Sequence, residues 1–236
     1  MTNPFITRNP HHQKQATYKM ATVTLKPASW QVNHSPSLPG SSHMKIDKDY
    51  LLSQTNSTEF EPKLRFFQWM RPTISYGYLQ NGELVQRWAE NKGNVEIVQR
   101  PTGGGVVFHQ PTDLSLSLIW PREKGIFPEN PRDCYKAIHM IIKKGIEETI
   151  GLPSLSLFSP ESGPCDASPE IETCDRFSLC FQAPICHDVM QEGQKIVGGA
   201  LRLTRKAILY QGNILNPEAK NLDKCKSSII SSLGQI

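Results

Sequence analysis

No apolar run in the chain approaches the roughly 20 residues that a membrane-spanning helix needs, which excludes a helical anchor from the expectation. The first twenty residues, rich in Asn, His, Gln and Thr, lack the apolar centre of a signal peptide. Lysine and arginine nowhere form a repeated block, and a net charge of +4 is too small for a nucleic-acid footprint. It suits an acidic protein partner better. Six cysteines (Cys134, Cys165, Cys174, Cys180, Cys186 and Cys225) include no Cys-x-x-Cys pair. In a chain of 236 residues that reads as reduced thiols in a cytoplasm and matches no zinc spacing. No internal repeat is present.

The glycines look at first like a nucleotide loop, and both common forms fail. The Walker pattern closes on Gly-Lys-Ser/Thr, whereas here Phe108-His109-Gln110 follows the glycines. The dinucleotide fingerprint needs a glycine where Phe108 stands. What is present is Gln99-Arg100-Pro101-Thr102-Gly103-Gly104-Gly105-Val106-Val107-Phe108-His109, a tight turn feeding a β-branched strand. Three residues without a Cβ let a substrate's polar atoms approach backbone N–H groups, and Arg100 supplies a rigid fork of donors beside them. The same residues also fit a plain glycine-rich turn with a surface arginine.

Hydrophobic residues at 38% and charged residues at 20% make a globular chain, long enough for a sizeable core. Residues 1–20 read as a disordered leader and 21–236 as one domain. Strands are expected at Thr22–Gln31 (with Trp30 inward), Leu64–Met70, Thr73–Tyr78 and Val95–Val98, and then as a hairpin of Val106–Phe108 with Leu114–Trp120. Later strands are expected at Phe177–Phe181, Ile185–Met190, Lys195–Leu201 and Ala207–Gln211, after a Pro/Ser/Glu-rich loop from Ser159 to Thr173. Helices are expected at Met44–Leu52, at Glu83–Lys92 and at Asp223–Leu233. The clearest is Pro131–Ile150, with Tyr135, Ile138, Ile142 and Ile146 on one apolar face. Strands and helices mix without strict alternation, so the fold class is α+β with a mixed, mostly antiparallel sheet flanked by helices.

Two further constellations carry candidate chemistry. Ser178-Leu179-Cys180-Phe181-Gln182-Ala183-Pro184 holds a cysteine that becomes a nucleophile only in a cationic or donor-rich setting. Lys195, His109 and His187 are the candidates for that setting. Gly193-Gln194-Lys195-Ile196-Val197-Gly198-Gly199-Ala200 places a lysine at a strand mouth ahead of two glycines, where another backbone or a ligand can come close. A buried inert cysteine and a solvated lysine are the plain alternatives.

In this order and at these intervals, the three constellations resemble the lipoate/octanoate attachment family of the biotin- and lipoate-protein ligase superfamily. Gln211-Gly212-Asn213, Met44-Lys45-Ile46-Asp47 and Ile74-Ser75-Tyr76-Gly77 extend the resemblance from about Trp30 to about Asn216. It implies the catalytic fold of that superfamily and two possible activities. Ligases of the family make an acyl-adenylate from ATP with Mg²⁺ and pass the acyl group to a lysine of a lipoyl domain. Transferases take octanoyl from acyl carrier protein, or from another lipoyl domain, through a cysteine thioester and need no cofactor. Cys180-Phe181-x-x-Pro184 is similar to the transferase cysteine segment, and the ligases' Gly-Arg-Asn-Asp is replaced by Pro184-Ile185-Cys186-His187-Asp188. Gly103-Gly104-Gly105, by contrast, is ligase-like.

The resemblance thus implies Cys180 and Lys195 as catalytic residues. It implies Arg100, Thr102, Gly103, Gly104, Gly105, His109, Gly198, Gly199 and Gly212 around the substrate. The implied partners are octanoyl-acyl carrier protein and lipoyl-domain proteins, namely 2-oxoacid dehydrogenase E2 subunits and the glycine cleavage H protein. A biotin ligase and a silent lipoyl-domain-binding protein are the remaining alternatives. The expectation leans to the transferase.

Overall fold

The computed structural model describes residues 29–56, 61–150, 155–160, 184–217 and 221–234. In chain order these form β1 (Gln31–His34), α1 (Gly40–Asn56), β2 (Lys63–Phe67), β3 (Thr73–Tyr76), α2 (Gly82–Ala89), β4 (Glu96–Gln99), β5 (Val106–His109) and β6 (Leu114–Pro121). There follow α3 (Pro131–Ile150), β7 (Ser156–Leu157), β8 (Val189–Gln191), β9 (Gln194–Leu203), β10 (Ala207–Ile214) and α4 (Leu222–Gly234). A seven-stranded sheet runs β1-β2-β6-β10-β9-β8-β7, and a three-stranded sheet runs β4-β3-β5. β1–β2 and β3–β4 are parallel, and the other described pairings are antiparallel.

Side-chain alternation divides the large sheet into two different faces. Leu114, Leu116, Leu118 and Trp120 of β6 join Tyr210 of β10 on one face, against Tyr135, Ile138, Ile142 and Ile146 of α3 and Ile229 and Leu233 of α4. Burying each such side chain contributes about 1.5–3 kcal/mol, so this face holds the main core. The opposite face carries Phe67 together with Arg65, Ser115, Ser117, Gln211 and Asn213, polar residues inside a buried layer. Helix α1 covers that face, with Leu51 packed on Ile119 and Leu209.

Three expectations change. Val106–His109 and Leu114–Pro121 do not form a hairpin: β5 pairs with β3, while β6 pairs with β2 and β10. Val106 packs with Ile74, Val85 and Ala89 in a small core of its own, and residues 110–113 carry the chain between the two sheets. The turn is closed by Asp113, whose N–H donates to the Gln110 carbonyl (3.0 Å) and whose Oδ2 accepts from Gln110 N–H (3.0 Å). Helix α1 begins four residues ahead of Met44, because Glu96 of β4 accepts from the Gly40 and Ser41 N–H groups at 2.9 Å each. That acidic cap sits far away in sequence, so local reading cannot see it. Finally, Ile185–Asp188 is a turn rather than a strand, with the Ile185 N–H donating to Asp188 Oδ2 (2.7 Å) and His187 at φ 73°.

Strand β1 starts at Gln31, at the end of the expected Thr22–Gln31 strand. Helix α3 spans Pro131–Ile150 as expected. The leader 1–20 and the strand Phe177–Phe181 lie outside the described residues, as does nearly all of the loop Ser159–Thr173. Cys134 and Cys225 are free and buried, and burial pushes their thiols up to about 12 and about 11. Cys186 is disulfide-bonded, against the expectation of reduced thiols throughout. Among the described residues, no helix is long and apolar enough to cross a membrane.

Candidate functional site: a glycine turn over a buried lysine

The glycine turn lies directly against the end of β3. A Cβ on Gly77 would stand 2.2 Å from the Gly104 carbonyl oxygen, so this crossing needs glycine. Gly104 itself adopts φ 87°, which glycine takes without strain. Arg100 is buried underneath. Its Nη1 donates to the Ser75 carbonyl (2.9 Å) and hydroxyl (2.7 Å), and its Nη2 donates to the carbonyls of Gly103 (3.0 Å) and Gly105 (2.8 Å). The fork expected to face an anion therefore holds the shape of the turn.

Ser75 passes the contact on. Arginine can only donate, so Ser75 Oγ accepts from it, and the same hydroxyl shares a hydrogen bond with His109 Nε2, 2.6 Å away. His109 is held neutral, with its imidazole lowered to about 3 by burial and by the Arg100 charge. Its Nδ1 is buried and has no hydrogen-bond partner among the described residues. The ring stacks on Trp69 at 4.0 Å. Trp69 Nε1 donates to Ser115 Oγ (2.9 Å), which donates to Asn213 Oδ1 (2.6 Å), whose amide donates to Asp113 (3.1 Å).

A second chain ties the turn to α1. Thr102 Oγ1 donates to Gln211 Oε1 (2.6 Å), and Gln211 Nε2 donates to Asp47 Oδ2 (2.6 Å). Asp47 Oδ1 accepts from Arg65 Nε (3.0 Å) and Nη2 (2.7 Å) and from Ser117 Oγ (2.8 Å). Both charges are buried, and the surrounding donors compensate their desolvation. Arg65 Nη1 also donates to His43 Nδ1 (3.1 Å), so Nε2 carries the hydrogen and donates to the Gln68 carbonyl (3.0 Å). Burial and the Arg65 charge lower His43 to about 4.

Lys195 provides the other wall. Its Nζ lies 2.7 Å from Asp188 Oδ2, and both residues are buried. Asp188 Oδ1 accepts from Tyr135 OH (2.6 Å), and Tyr135 OH accepts from Gly199 N–H (3.0 Å). Burial, followed by the Asp188 charge, raises the Tyr135 phenol well above its ordinary range, so it stays a donor. Gly199 and Gly212 face each other across β9 and β10 under the Tyr210 ring. A Cβ on either would stand 2.5 Å from Tyr210 OH, so these two glycines make room for a tyrosine.

An open pocket lies between these walls. Arg100, Gly104, His109, Lys195, Gly198, Gly199 and Gly212 line it, all from the expected set. Met44, Phe67, Trp69 and Val107 supply an apolar end, and Ser115, Gln211 and Asn213 a polar wall. Thr102, Gly103 and Gly105 stand behind the lining: Thr102 bonds to Gln211, and the Gly103 N–H points at the Leu201 carbonyl (3.5 Å). Cys180 lies outside the described residues.

Sequence reasoning missed Trp69, Ser115 and Tyr135 as site residues. Their only local signal is an aromatic or a hydroxyl at a core-facing register.

A magnesium nucleotide fits these residues poorly. Asp188 takes three protein donors, Asp47 four and Asp113 three. Among the described residues, no three His, Cys, Asp or Glu side chains cluster as metal ligands.

Comparison with known proteins makes the class of this fold specific. Residues 42–228 match the family model "Lipoyl protein ligase A/B catalytic domain", and the chain belongs to that family. Octanoyltransferase LipM of Bacillus subtilis is 30% identical over 188 residues, covering 79% of this chain and 65% of that protein. Octanoyltransferase LipM of Carboxydothermus hydrogenoformans is 29% identical over 192 residues, with the same two coverages. The chain therefore spans just under two thirds of the length of these relatives.

A lipoate-protein ligase A solved with ATP shares the fold at TM-score 0.61 and 16% identity, covering 89% of this chain and 85% of that one. A chain from an archaeal lipoylation system, a bi-partite lipoate protein ligase and its E2 lipoyl domain from Thermoplasma acidophilum, shares it at TM-score 0.55 and 16% identity, covering 88% and 83%. The expected α+β catalytic fold is borne out.

Proposed function

We propose that this chain is an octanoyltransferase of protein lipoylation, working through a Cys180 thioester without ATP. The observation that carries the reading is the state of the two pocket cations. Arg100 is engaged with the carbonyls of the glycine turn and Lys195 with Asp188. Neither the fork nor the saturated carboxylates suit a magnesium triphosphate. A neutral thioester needs only an apolar channel and a donor at its carbonyl. The octanoyltransferase relatives support the same choice.

In this reading the Cys180 thiolate attacks the donor's thioester carbonyl, and the oxyanion collapses with loss of the carrier thiolate, which takes up the proton. The acyl group is then on Cys180. The amine of a lipoyl-domain lysine attacks next, an amide forms, and Cys180 leaves as the thiol. Lys195 stabilises both oxyanions at short range, held in place by Asp188. Met44, Phe67, Trp69 and Val107 take up the alkyl chain, at about 0.8 kcal/mol per buried CH₂. The acceptors in this reading are E2 subunits and the glycine cleavage H protein.

The test is the intact mass of the protein after incubation with octanoyl-acyl carrier protein in the absence of ATP. A gain of one octanoyl group, absent in Cys180→Ala, is expected. No adduct, with an apo lipoyl domain modified only when ATP and free acid are supplied, overturns the reading in favour of a ligase.

A further inference from the structure

The glycine turn has a neighbour that the pocket chemistry does not use. Arg202 lies on the same face of β9 as Gly198 and Ala200, just beyond the pocket lining. Its guanidinium sits 3.9 Å from the centre of the Tyr78 ring. Tyr78 in turn donates its N–H to the Thr102 carbonyl (3.0 Å), so the Arg202–Tyr78 stack stands at the rim of the turn. Tyr78 is 39% exposed and Leu79 beside it 78% exposed. Past Arg202, the β9–β10 turn presents Arg205 and Lys206 to solvent. The Arg122 N–H donates to the Lys206 carbonyl (2.8 Å), which draws in Arg122 and Lys124. In residues 121–125 and 201–207 the one acidic side chain among these cations is Glu123.

We propose that this rim is the docking surface for the acidic carrier domain that brings the acyl donor, a proposal that rests on the transferase reading above. A half-buried arginine stacked on an exposed aromatic, with cations on the adjoining turn, is the composition of an interface centre meeting an acidic surface. Distance selects the donor over the acceptor. Seven residue steps along β9 separate Lys195 from Arg202, about 23 Å at the usual rise. An acceptor lysine reaches only the length of its own four-carbon stem, so its domain must sit much nearer to Lys195. A thioester on an extended pantetheine arm spans the gap. Gly198, Gly199 and Ala200 line the pocket between Arg202 and Lys195.

The experiment compares two octanoyl donors, the acyl carrier protein thioester and octanoyl-pantetheine, by the rate of adduct formation in the full chain. The Arg205→Glu/Lys206→Glu variant is expected to raise the KM for the carrier-borne donor about tenfold or more and to leave the rate with octanoyl-pantetheine unchanged. Added salt is expected to slow the unaltered protein with the carrier donor and to have little effect on the variant. Arg202→Gln is expected to give a smaller change in the same direction. A carrier KM unchanged in both variants overturns the proposal. So does an equal loss with both donors, which marks a structural effect. Absence of an adduct with either donor in the unaltered protein overturns the underlying transferase reading instead.

Discussion

Lys195 and Asp188 form a buried ion pair, 2.7 Å between Nζ and Oδ2, at the wall of the pocket. Such a pair is costly to break from one side, by about 3–5 kcal/mol. Asp188→Asn is expected to lower thermal stability and to reduce adduct formation at least about a hundredfold, since it loosens the ammonium that meets the oxyanion. Pairing it with Lys195→Met is expected to restore much of the stability and none of the activity. Recovery of transfer in the double variant would show that Lys195 plays no chemical part.

The two groups of glycines differ in what they accommodate, and alanine separates them. At Gly212 a Cβ meets Tyr210 OH at 2.5 Å, so Gly212→Ala is expected to cost about 1–3 kcal/mol of stability. At Gly103 the nearest atoms lie 3.9 Å away, so Gly103→Ala is expected to leave the Tm where it is. Thermal melts of the two variants check this. A large fall for Gly103→Ala would mean that the turn is more tightly packed than its contacts indicate.

Trp69 closes the apolar end of the pocket by stacking on His109 and donating to Ser115. Trp69→Leu is expected to deepen that end and shift preference from octanoyl towards longer acyl donors. Competition between thioesters of different chain length measures the shift. An unchanged ratio would place the alkyl chain elsewhere.

Acid is expected to destabilise the fold early. His43, His109 and His139 are buried, and burial, their largest perturbation, lowers them to about 4, 3 and 3 from 6.5. Between those values and 6.5 the unfolded chain binds protons that the folded chain refuses. Their contribution is therefore whole above pH 6.5 and is lost progressively as the pH falls towards 3–4. The slope is up to about 1.4 kcal/mol per pH unit for each histidine. Urea midpoints at pH 7.5, 6 and 5 test this, and a midpoint that does not move would contradict neutral buried imidazoles.

Periodicity was enough for the elements whose apolar faces are local. Helix α3 runs from Pro131 to Ile150 because Tyr135, Ile138, Ile142 and Ile146 recur at helical spacing after a proline start. The ordered arginine–glycine, lysine–glycine and Gln-Gly-Asn segments were legible for the same reason: each is contiguous. Seven of the residues expected at the site do line one pocket.

What the chain order alone did not contain were relations across long separations. Glu96 extends α1 from 55 and 56 residues away, and Gln211 joins Thr102 to Asp47 over more than a hundred residues. Arg100 was legible as a donor fork and illegible as to its target, because four carbonyl and hydroxyl oxygens reach it only once β3 and the turn have packed. β5 and β6, which look like one hairpin, part company because their apolar residues belong to different cores. Short-range spacing determines which residues can form an element. Which buried polar groups satisfy one another is decided only when the sheets and helices close, since a desolvated donor must take whatever acceptor the tertiary packing brings to it.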